Sequence, residues 1–589
     1  MSQHHSADPA TAEITKFDSI GMEVFSNRLL SITEDMAINM MRSSFSSQIK
    51  ERRDFSVGLF DAQGRLVAQG THIPIHLGSL LGSVQAVLRR YTLDQMVEGD
   101  AFICNDPYLA GGTHLPDISI VTPIFEDGRP FMFAANIGHH EDIGGPIPGS
   151  TSANARSLFE EGLRLPVIRI ARAGEVDEDL LSVISANSRL PEERTLDLKV
   201  QIATNLHGAE AVHQLVRRMS KEGVQAAIDA VLAYTKERLR QRILALADGK
   251  YSFTTYLDDD GFGGDMIPIS ATVTIAGDKL SVDMSGSGPQ ARGGMNVAEN
   301  ALNATVYYCV KALLDPDLMA NSGLIESVVV TAPAGTIVNP IFPAAVSARS
   351  ITCQKVARAI FGALRPVLDE KRAMASSNDI LPSISFSGSN SGGRMFVWGE
   401  AIGGGSGARA DMDGMDAIHV HVTNTLNMPT EALEHEFPLL VEAYGFAENS
   451  GGPGKHRGGL GIVREVRVLL DNTEVSFRSD GHKRGAEGVD GGGDGGMGRI
   501  TRNFGTPEAE YLASKMGGIV LKAGETIRFE TPGGGGFGAA DERSVAELAA
   551  DLRDGIMSRE VAETQYGAAR VAEALKLLSL PAKHDPNIG

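Results

Sequence analysis

Residues 103–145 read ICNDPYLAGGTHLPDISIVTPIFEDGRPFMFAANIGHHEDIGG. Two bursts of acids and histidines flank a strand-like middle. The first holds Asp106, His114 and Asp117; the second holds His139, His140, Glu141 and Asp142. Between them two apolar runs meet at Glu126-Asp127-Gly128-Arg129, which predicts a β-hairpin with a four-residue connection. A hairpin lays the residues before its first strand beside those after its second, so His114 and Asp117 come within reach of the His139/His140 pair. Imidazole and carboxylate converging from two segments can hold a divalent metal. His139 and His140 are neighbours, so in extended chain they point to opposite faces. One joins such a site and the other faces substrate or core. Asp54, in KERRDFSVGLFD, stands at the mouth of another hairpin and offers a fourth ligand. Two histidines with two carboxylates suit zinc, and manganese or iron nearly as well.

Outward from this stretch, the 589 residues suffice for two or more domains, since single cores stop growing near roughly 250–300 residues. A net charge of −20 argues against a general nucleic-acid binder, which carries a basic stripe. The cysteines, Cys104, Cys309 and Cys353, form no CxxC pair, which fits a reducing compartment and excludes a thiolate zinc ribbon. With no signal-like N-terminus and no apolar run of about 18 residues, no membrane span is expected and a cytoplasmic location is the default.

The expected fold class is α+β: a mixed multi-domain fold, with helices and hairpins in the N-terminal half, a glycine-rich, β-dominated C-terminal half, and a helical C-terminal tail. The expected division is a disordered tail over 1–17, a metal-site domain with a helical segment over 18–250, and an α/β middle domain over 251–380. A glycine-rich β domain over 381–540 and C-terminal helices over 541–589 follow. Helices are predicted over 18–48, 80–91, 196–219, 224–247, 300–314, 356–364 and 541–577.

Other motifs read more plainly. His72 and His76, in GTHIPIHLGS, echo the GTHLPD phrase but lack its acid, so neither is expected to join the site. His419 and His421, in DAIHVHVTNT, share one face of an expected strand, again with no acid nearby in sequence. Gly493, Gly495 and Gly498 match GxGxxG, but RITRNFG follows instead of a helix, so no phosphate loop is assigned. Glycine makes up 67 residues, about 11% against a norm near 7%, and its clusters read as tight turns between strands.

Several longer phrases are distinctive together: ERRDFSVGLFD, HIPIHLGS, NDPYLAGGTHLPDISIVTPIF, GHHEDIGG, EGLRLP, GGMNVAENA, HVHVTNTLNMP and TPGGGGFG. The chain that carries them resembles the hydantoinase B/oxoprolinase family from about residue 18 to 570. The resemblance implies the metal-bearing β subunit of an ATP-dependent hydantoinase, N-methylhydantoinase, caprolactamase or 5-oxoprolinase, with subunits of ketone carboxylases as distant relatives. It implies that ATP is used through a separate hydantoinase A-type subunit, in an (αβ)2 assembly, which agrees with the missing phosphate loop. It places the metal ligands on Asp54, His114, Asp117 and His139, and so chooses between the adjacent histidines. The carboxylase branch can carry Glu at the position of Asp54, which leans toward the hydrolases. SDGHKRGAEGVDGGGDGG departs from the family's usual pattern. The expected function is therefore opening of a hydantoin- or lactam-like ring after the partner phosphorylates its carbonyl, with zinc or manganese as cofactor and His140 as the general base. A carboxylase subunit and a structural scaffold for a catalytic partner are the alternatives.

Overall fold

The computed structural model describes residues 19–579 except 71, 151 and 153; the expected tail over 1–17 lies outside the described residues. Helices and several antiparallel sheets share the chain, as the mixed α+β class requires. It forms two compact units. The first comprises the described residues up to Phe253, Ser270–Arg349 and Asn424–Leu426; the second comprises Thr254–Ile269, Ser350–Thr423 and the described residues from Asn427 on.

The first unit opens with helices α1 (Ser19–Ser43) and α2 (Ser47–Lys50), hairpin β1 (Phe55–Asp61)–β2 (Leu66–Gln69) and helix α3 (His76–Arg90). Strand β3 (Ala101–Cys104), hairpin β4 (Asp117–Glu126)–β5 (Arg129–His139) and strands β6 (Ile168–Arg172) and β7 (Glu175–Val176) follow. These seven strands make one antiparallel sheet in the order β2-β1-β5-β4-β3-β6-β7. Helices α4 (Glu178–Ala186), α5 (Pro191–Met219) and α6 (Lys221–Leu244) come next. Leu29, Ile32 and Met36 of α1 bury against Val57 and Leu59 of β1 and against Val212 and Ile228 of α5 and α6. A second apolar cluster gathers Ile103, Ile118 and Ile120 with Leu181, Leu198 and Val346.

The β4–β5 hairpin pairs Asp117 with His139 and Glu126 with Arg129, so its connection has two residues rather than the four expected. Asp127 and Gly128 both take positive φ, 53° and 73°, giving the turn whose twist matches the flanking strands. The loop leading into β4 seats directly on α3. A Cβ on Gly111 would lie 2.2 Å from the Gly82 carbonyl carbon, and Gly111 has φ +79°.

The chain passes to the second unit within β8 (Gly249–Leu257) and returns within β9 (Ile267–Ala276). With β10 (Lys279–Asp283) and β11 (Val328–Thr331) these form a four-stranded sheet, β11-β10-β9-β8. Helix α7 (Glu299–Leu314) precedes β11, and helix α8 (Arg349–Leu364) leads into the second unit.

Two sheets build most of that unit. One, ordered β13-β12-β16-β19, uses β12 (Ser383–Ser389), β13 (Met395–Ala401), β16 (Thr473–Arg478) and β19 (Lys515–Leu521). The other, β14-β15-β20-β17-β18, uses β14 (Leu439–Ala447), β15 (Gly461–Val468), β17 (Arg499–Arg502), β18 (Glu510–Tyr511) and β20 (Thr526–Glu530). Trp398 and Phe386 of the first share one core with Ile462 and Phe529 of the second.

Most of the glycine clusters here are not turns. A Cβ on Gly459 would sit 2.0 Å from the Met415 carbonyl oxygen, one on Gly458 1.8 Å from that of Gly534, and one on Gly534 1.9 Å from that of Ser406. The same segments hydrogen-bond to one another: Gly452 N to Gly534 O, Gly534 N to Gly459 O and Gly459 N to Ser406 O, at 2.8–2.9 Å. None of these glycines has a left-handed φ. They are glycine because backbone packs on backbone where a side chain would stand. Gly493, Gly495 and Gly498 lead into β17, a strand, as the rejection of a phosphate loop anticipates. The expected helical tail is present as three helices, α9 (Val545–Arg553), α10 (Arg559–Tyr566) and α11 (Ala568–Ser579), with Gly567 at φ +91° between the last two. No helix among the described residues is long and apolar enough to cross a membrane.

Candidate metal centre

Pairing of Asp117 with His139 across β4 and β5 sets two side chains of the site, and the turn His114–Asp117 sets the third. His114 Nε2 lies 3.0 Å from Asp117 Oδ1 and 3.2 Å from His139 Nδ1, and His139 Nδ1 lies 3.1 Å from Asp117 Oδ1. These three atoms make a nearly equilateral triangle. His114 and Asp117 are fully buried, and the His139 side chain is 12% exposed.

The arrangement fits a cation. Protons cannot satisfy it well, because an N–H on each imidazole aimed at Asp117 Oδ1 would also face the other. Ligand atoms about 2.0–2.1 Å from a metal stand roughly 3.0 Å apart at adjacent octahedral corners and roughly 3.3 Å apart in a tetrahedron. The observed edges suit either, so geometry leaves zinc and manganese equivalent. Burial, then the nearby Arg349 guanidinium, pull the His114 imidazole well below its ordinary value, keeping a lone pair for a metal. Burial alone would push Asp117 up, but His114 and Arg349 outweigh it and hold the carboxyl well below the usual carboxylate range.

The second oxygen of Asp117 is also engaged. Asp117 Oδ2 accepts from Arg349 Nη2 at 2.8 Å and from the Thr113 hydroxyl, and Arg349 Nε and Nη2 reach the same hydroxyl oxygen at 3.1 and 2.8 Å. His76, at the start of α3 and 1% exposed, points its Nε2 at Asp117 Oδ2 from 4.0 Å, while its Nδ1 meets Ser56 Oγ at 3.1 Å. Burial lowers its pKa against the pull of Asp117 and Asp54.

Of the residues singled out in sequence, His114, Asp117 and His139 come together as a group able to hold a metal. The Asp54 carboxylate is outside that group; its backbone carbonyl accepts the His139 N–H at 2.9 Å, and its charge acts on His76. His140 turns the other way. Its Nε2 donates to Gln201 Oε1 of α5 at 2.9 Å, while Nδ1 is buried without a partner among the described residues. Asp106 is held by Arg164 and by the Tyr108 and Leu109 amides, and Asp142 by Arg189. Glu141 accepts from Gln48 Nε2. These three acids brace loops.

His76 was not expected to join the site, and the structure puts its ring beside Asp117. Arg349 gave no signal, being 232 residues from Asp117. In the second unit, His421 lies in irregular chain rather than a strand, with φ +53°, and does have an acid: Asp379 Oδ1 at 2.8 Å from its Nε2.

Sheet and hairpin together bring His114, Asp117 and His139 into one buried group that could hold a metal. The hydantoinase B/oxoprolinase family profile matches residues 18–540. The chain is 32% identical over 577 residues to the B-type subunit of a "Putative D-/L-hydantoinase" of Pseudomonas sp. (strain NS671), covering 94% of this chain and 96% of that one. It is 31% identical over 572 residues to 5-oxoprolinase 1 of Arabidopsis thaliana, covering 90% of this chain but 43% of the plant protein. The crystal structure of ATP-dependent caprolactamase from Pseudomonas jessenii superposes with a TM-score of 0.84 at 26% identity, covering 95% of this chain and all of that one. Acetone carboxylase, in a nucleotide-free structure, shares the fold with a TM-score of 0.88 at 19% identity, covering 96% of this chain and 84% of that one. The chain belongs to the hydantoinase B/oxoprolinase family.

Proposed function

We propose that this chain is the metal-bearing subunit of an ATP-dependent cyclic amidohydrolase, which opens a hydantoin- or lactam-like ring after a separate A-type subunit phosphorylates the ring carbonyl. The observation that carries this reading is the buried meeting of His114, Asp117 and His139 in a chain of this family. The names of the hydantoinase relative and of the caprolactamase support the substrate class. A ring amide of this size is a poor electrophile, which is the chemical reason to spend ATP on it.

His114, Asp117 and His139 would hold one zinc or manganese ion, with Asp54 as the fourth ligand that the family resemblance implies. A divalent metal supplies Lewis acidity at that point. Arg349 and Thr113 fix Asp117 by its outer oxygen, so that its inner oxygen stays aimed at the two imidazoles. Burial of the group keeps bulk water away and strengthens each charge interaction. His140 is the proposed base, through Nδ1, since Gln201 fixes the proton on Nε2. The partner is an A-type ATP-binding subunit in an (αβ)2 assembly, in the cytoplasm.

The test mixes the purified chain with an A-type subunit, ATP, a hydantoin or lactam, and labelled bicarbonate. Ring opening without label uptake is expected. Label entering an organic acid makes the chain a carboxylase subunit, and full activity of the partner alone makes it a scaffold.

A further inference from the structure

One group of exposed rings in the first unit stands together on its surface. Phe342 meets Tyr108 edge to face at 5.5 Å and Phe159 at 5.7 Å between ring centres. Phe159 is 66% exposed and Phe342 43%. Leu109 and Ile341, next to Tyr108 and Phe342 in sequence, are each 59% exposed. The Arg164 guanidinium lies over both phenylalanines, 5.6 Å from the Phe159 ring centre and 5.1 Å from that of Phe342. Its Nε is tied to Asp106 at 2.6 Å, so the cation is fixed in place. Single exposed hydrophobics need no account, whereas a joined patch of rings marks a surface that something covers.

The fold enforces this exposure. Leu158 is fully buried in the cluster with Ile103, Ile118 and Val346, and the short turn after it, where Ser157 Oγ accepts the Phe159 N–H, sends the next side chain outward. Phe342 is set by its neighbours: the Pro343 carbonyl accepts the Leu158 N–H at 2.8 Å, and the Ala344 carbonyl accepts the Tyr108 hydroxyl at 2.7 Å. The Glu161 carboxylate then takes the Val346 and Ser347 amides at 2.6 and 2.7 Å. This stretch ends at Arg349, which holds Asp117. On the other loop, Tyr108 comes six residues before His114, so the two lie no more than about 22 Å apart. The loops that carry the patch are the loops whose inner ends form the candidate metal group.

We propose that Tyr108, Phe159 and Phe342 around Arg164 are the docking surface for the A-type subunit, which meets them with apolar side chains and gives Arg164 a carboxylate; this rests on the function proposed above and names the face where its partner sits. Aromatic rings and arginine dominate binding at protein interfaces, in well-packed spots from which water is excluded. Here the rings hold one another and Asp106 holds the arginine, so little ordering remains for association to cost. Place and charge select the partner. An activated ring made on another subunit must reach the metal group before water attacks it, and a partner seated on that group's own loops keeps the path short. In a chain of net charge −20, the charge at the centre of the patch is positive. Two copies related by a two-fold axis through the patch would bring Arg164 against its own mate, a like-charge contact that disfavours self-association.

The test measures association of the full chain with the A-type subunit, without nucleotide, by sedimentation velocity. The wild type is expected to bind. Phe159→Asp and Phe342→Ser should each weaken binding by about thirtyfold or more, with bound metal and melting temperature of the isolated chain little changed. Tyr511→Asp, at a 72% exposed ring in the second unit, should bind like the wild type. No binding by the wild type, unchanged binding in both patch variants, or equal weakening by Tyr511→Asp overturns the surface. So does self-association of the isolated chain that Phe159→Asp abolishes while the A-type subunit still binds, since the patch then seats a second copy. Unchanged binding in both patch variants, with ring opening by the mixed subunits, removes the surface and leaves the function standing. Binding lost in both, with no ring opening by the wild-type mixture, upholds the surface and removes the hydrolase reading.

Discussion

Arg349 Nη2 lies 2.8 Å from Asp117 Oδ2, the carboxylate oxygen that His114 and His139 leave unused. A buried carboxylate of the candidate metal group thus has a permanent monovalent partner on its outer side. In Arg349→Gln, the metal-free protein should lose about 3–5 kcal/mol, because a buried charge loses its partner. Metal should restore much of that loss. Melting temperatures with and without chelator check this: equal destabilisation of both forms means that Arg349 does not act through the Asp117 charge.

His114→Ala removes one corner of the triangle and should abolish stoichiometric metal, ring opening and metal-dependent stabilisation together. His419→Ala, in the second unit, should keep its metal. Elemental analysis of the two proteins decides, and retention by the first with loss by the second relocates the centre.

Acid should destabilise the metal-free chain in a defined window. His114 and His76 both titrate below 6.5 in the folded state, so beneath that value the unfolded chain binds more protons and stability falls with pH. Asp117, held below 3.8, adds a second loss at lower pH in the same direction. Melting curves between about pH 8 and pH 5 should show the first decline, and His114→Asn should flatten it. A flat wild-type profile contradicts the assignment.

His140→Phe leaves the Gln201 carboxamide oxygen buried and unpaired, at a cost of about 1–3 kcal/mol. Bound metal should be unchanged. If ring opening survives at near wild-type kcat once the lost stability is allowed for, the proton goes elsewhere and His140 is purely a brace between β5 and α5.

Gly459→Ala should prevent folding of the second unit, since its Cβ would fall 2.0 Å from the Met415 carbonyl oxygen. Gly445→Ala, with nothing within 4 Å and no left-handed φ, should be neutral or stabilising by about 0.5–1 kcal/mol. Soluble yield and circular dichroism of the two separate them.

What sequence revealed and what it hid follow from the range of the interactions. The hairpin was legible because alternation and turn chemistry are local, and its register then delivered Asp117 opposite His139. Its turn was read two residues too long, since Glu126 and Arg129 look like turn residues yet pair. Helices α5, α6 and α7 begin within a few residues of where periodicity puts them. Arg349 and the Asp379 partner of His421 were hidden because each is supplied by tertiary structure alone. The glycines misled for a different reason. Composition cannot tell a glycine needed for its φ from one needed for its missing Cβ, and the turn reading assumed the first.

That second kind of glycine changes how the interior of the second unit yields. Side chains accommodate a disturbance by moving to another rotamer, but peptide planes packed face to face have none to move to. The glycine segments around 405, 452, 459 and 534 hold one another by amides that are also the packing surface. Such an array cannot loosen at one point and stay closed at the next. Its amide protons should therefore exchange with solvent as a single block, at the rate at which the whole unit opens.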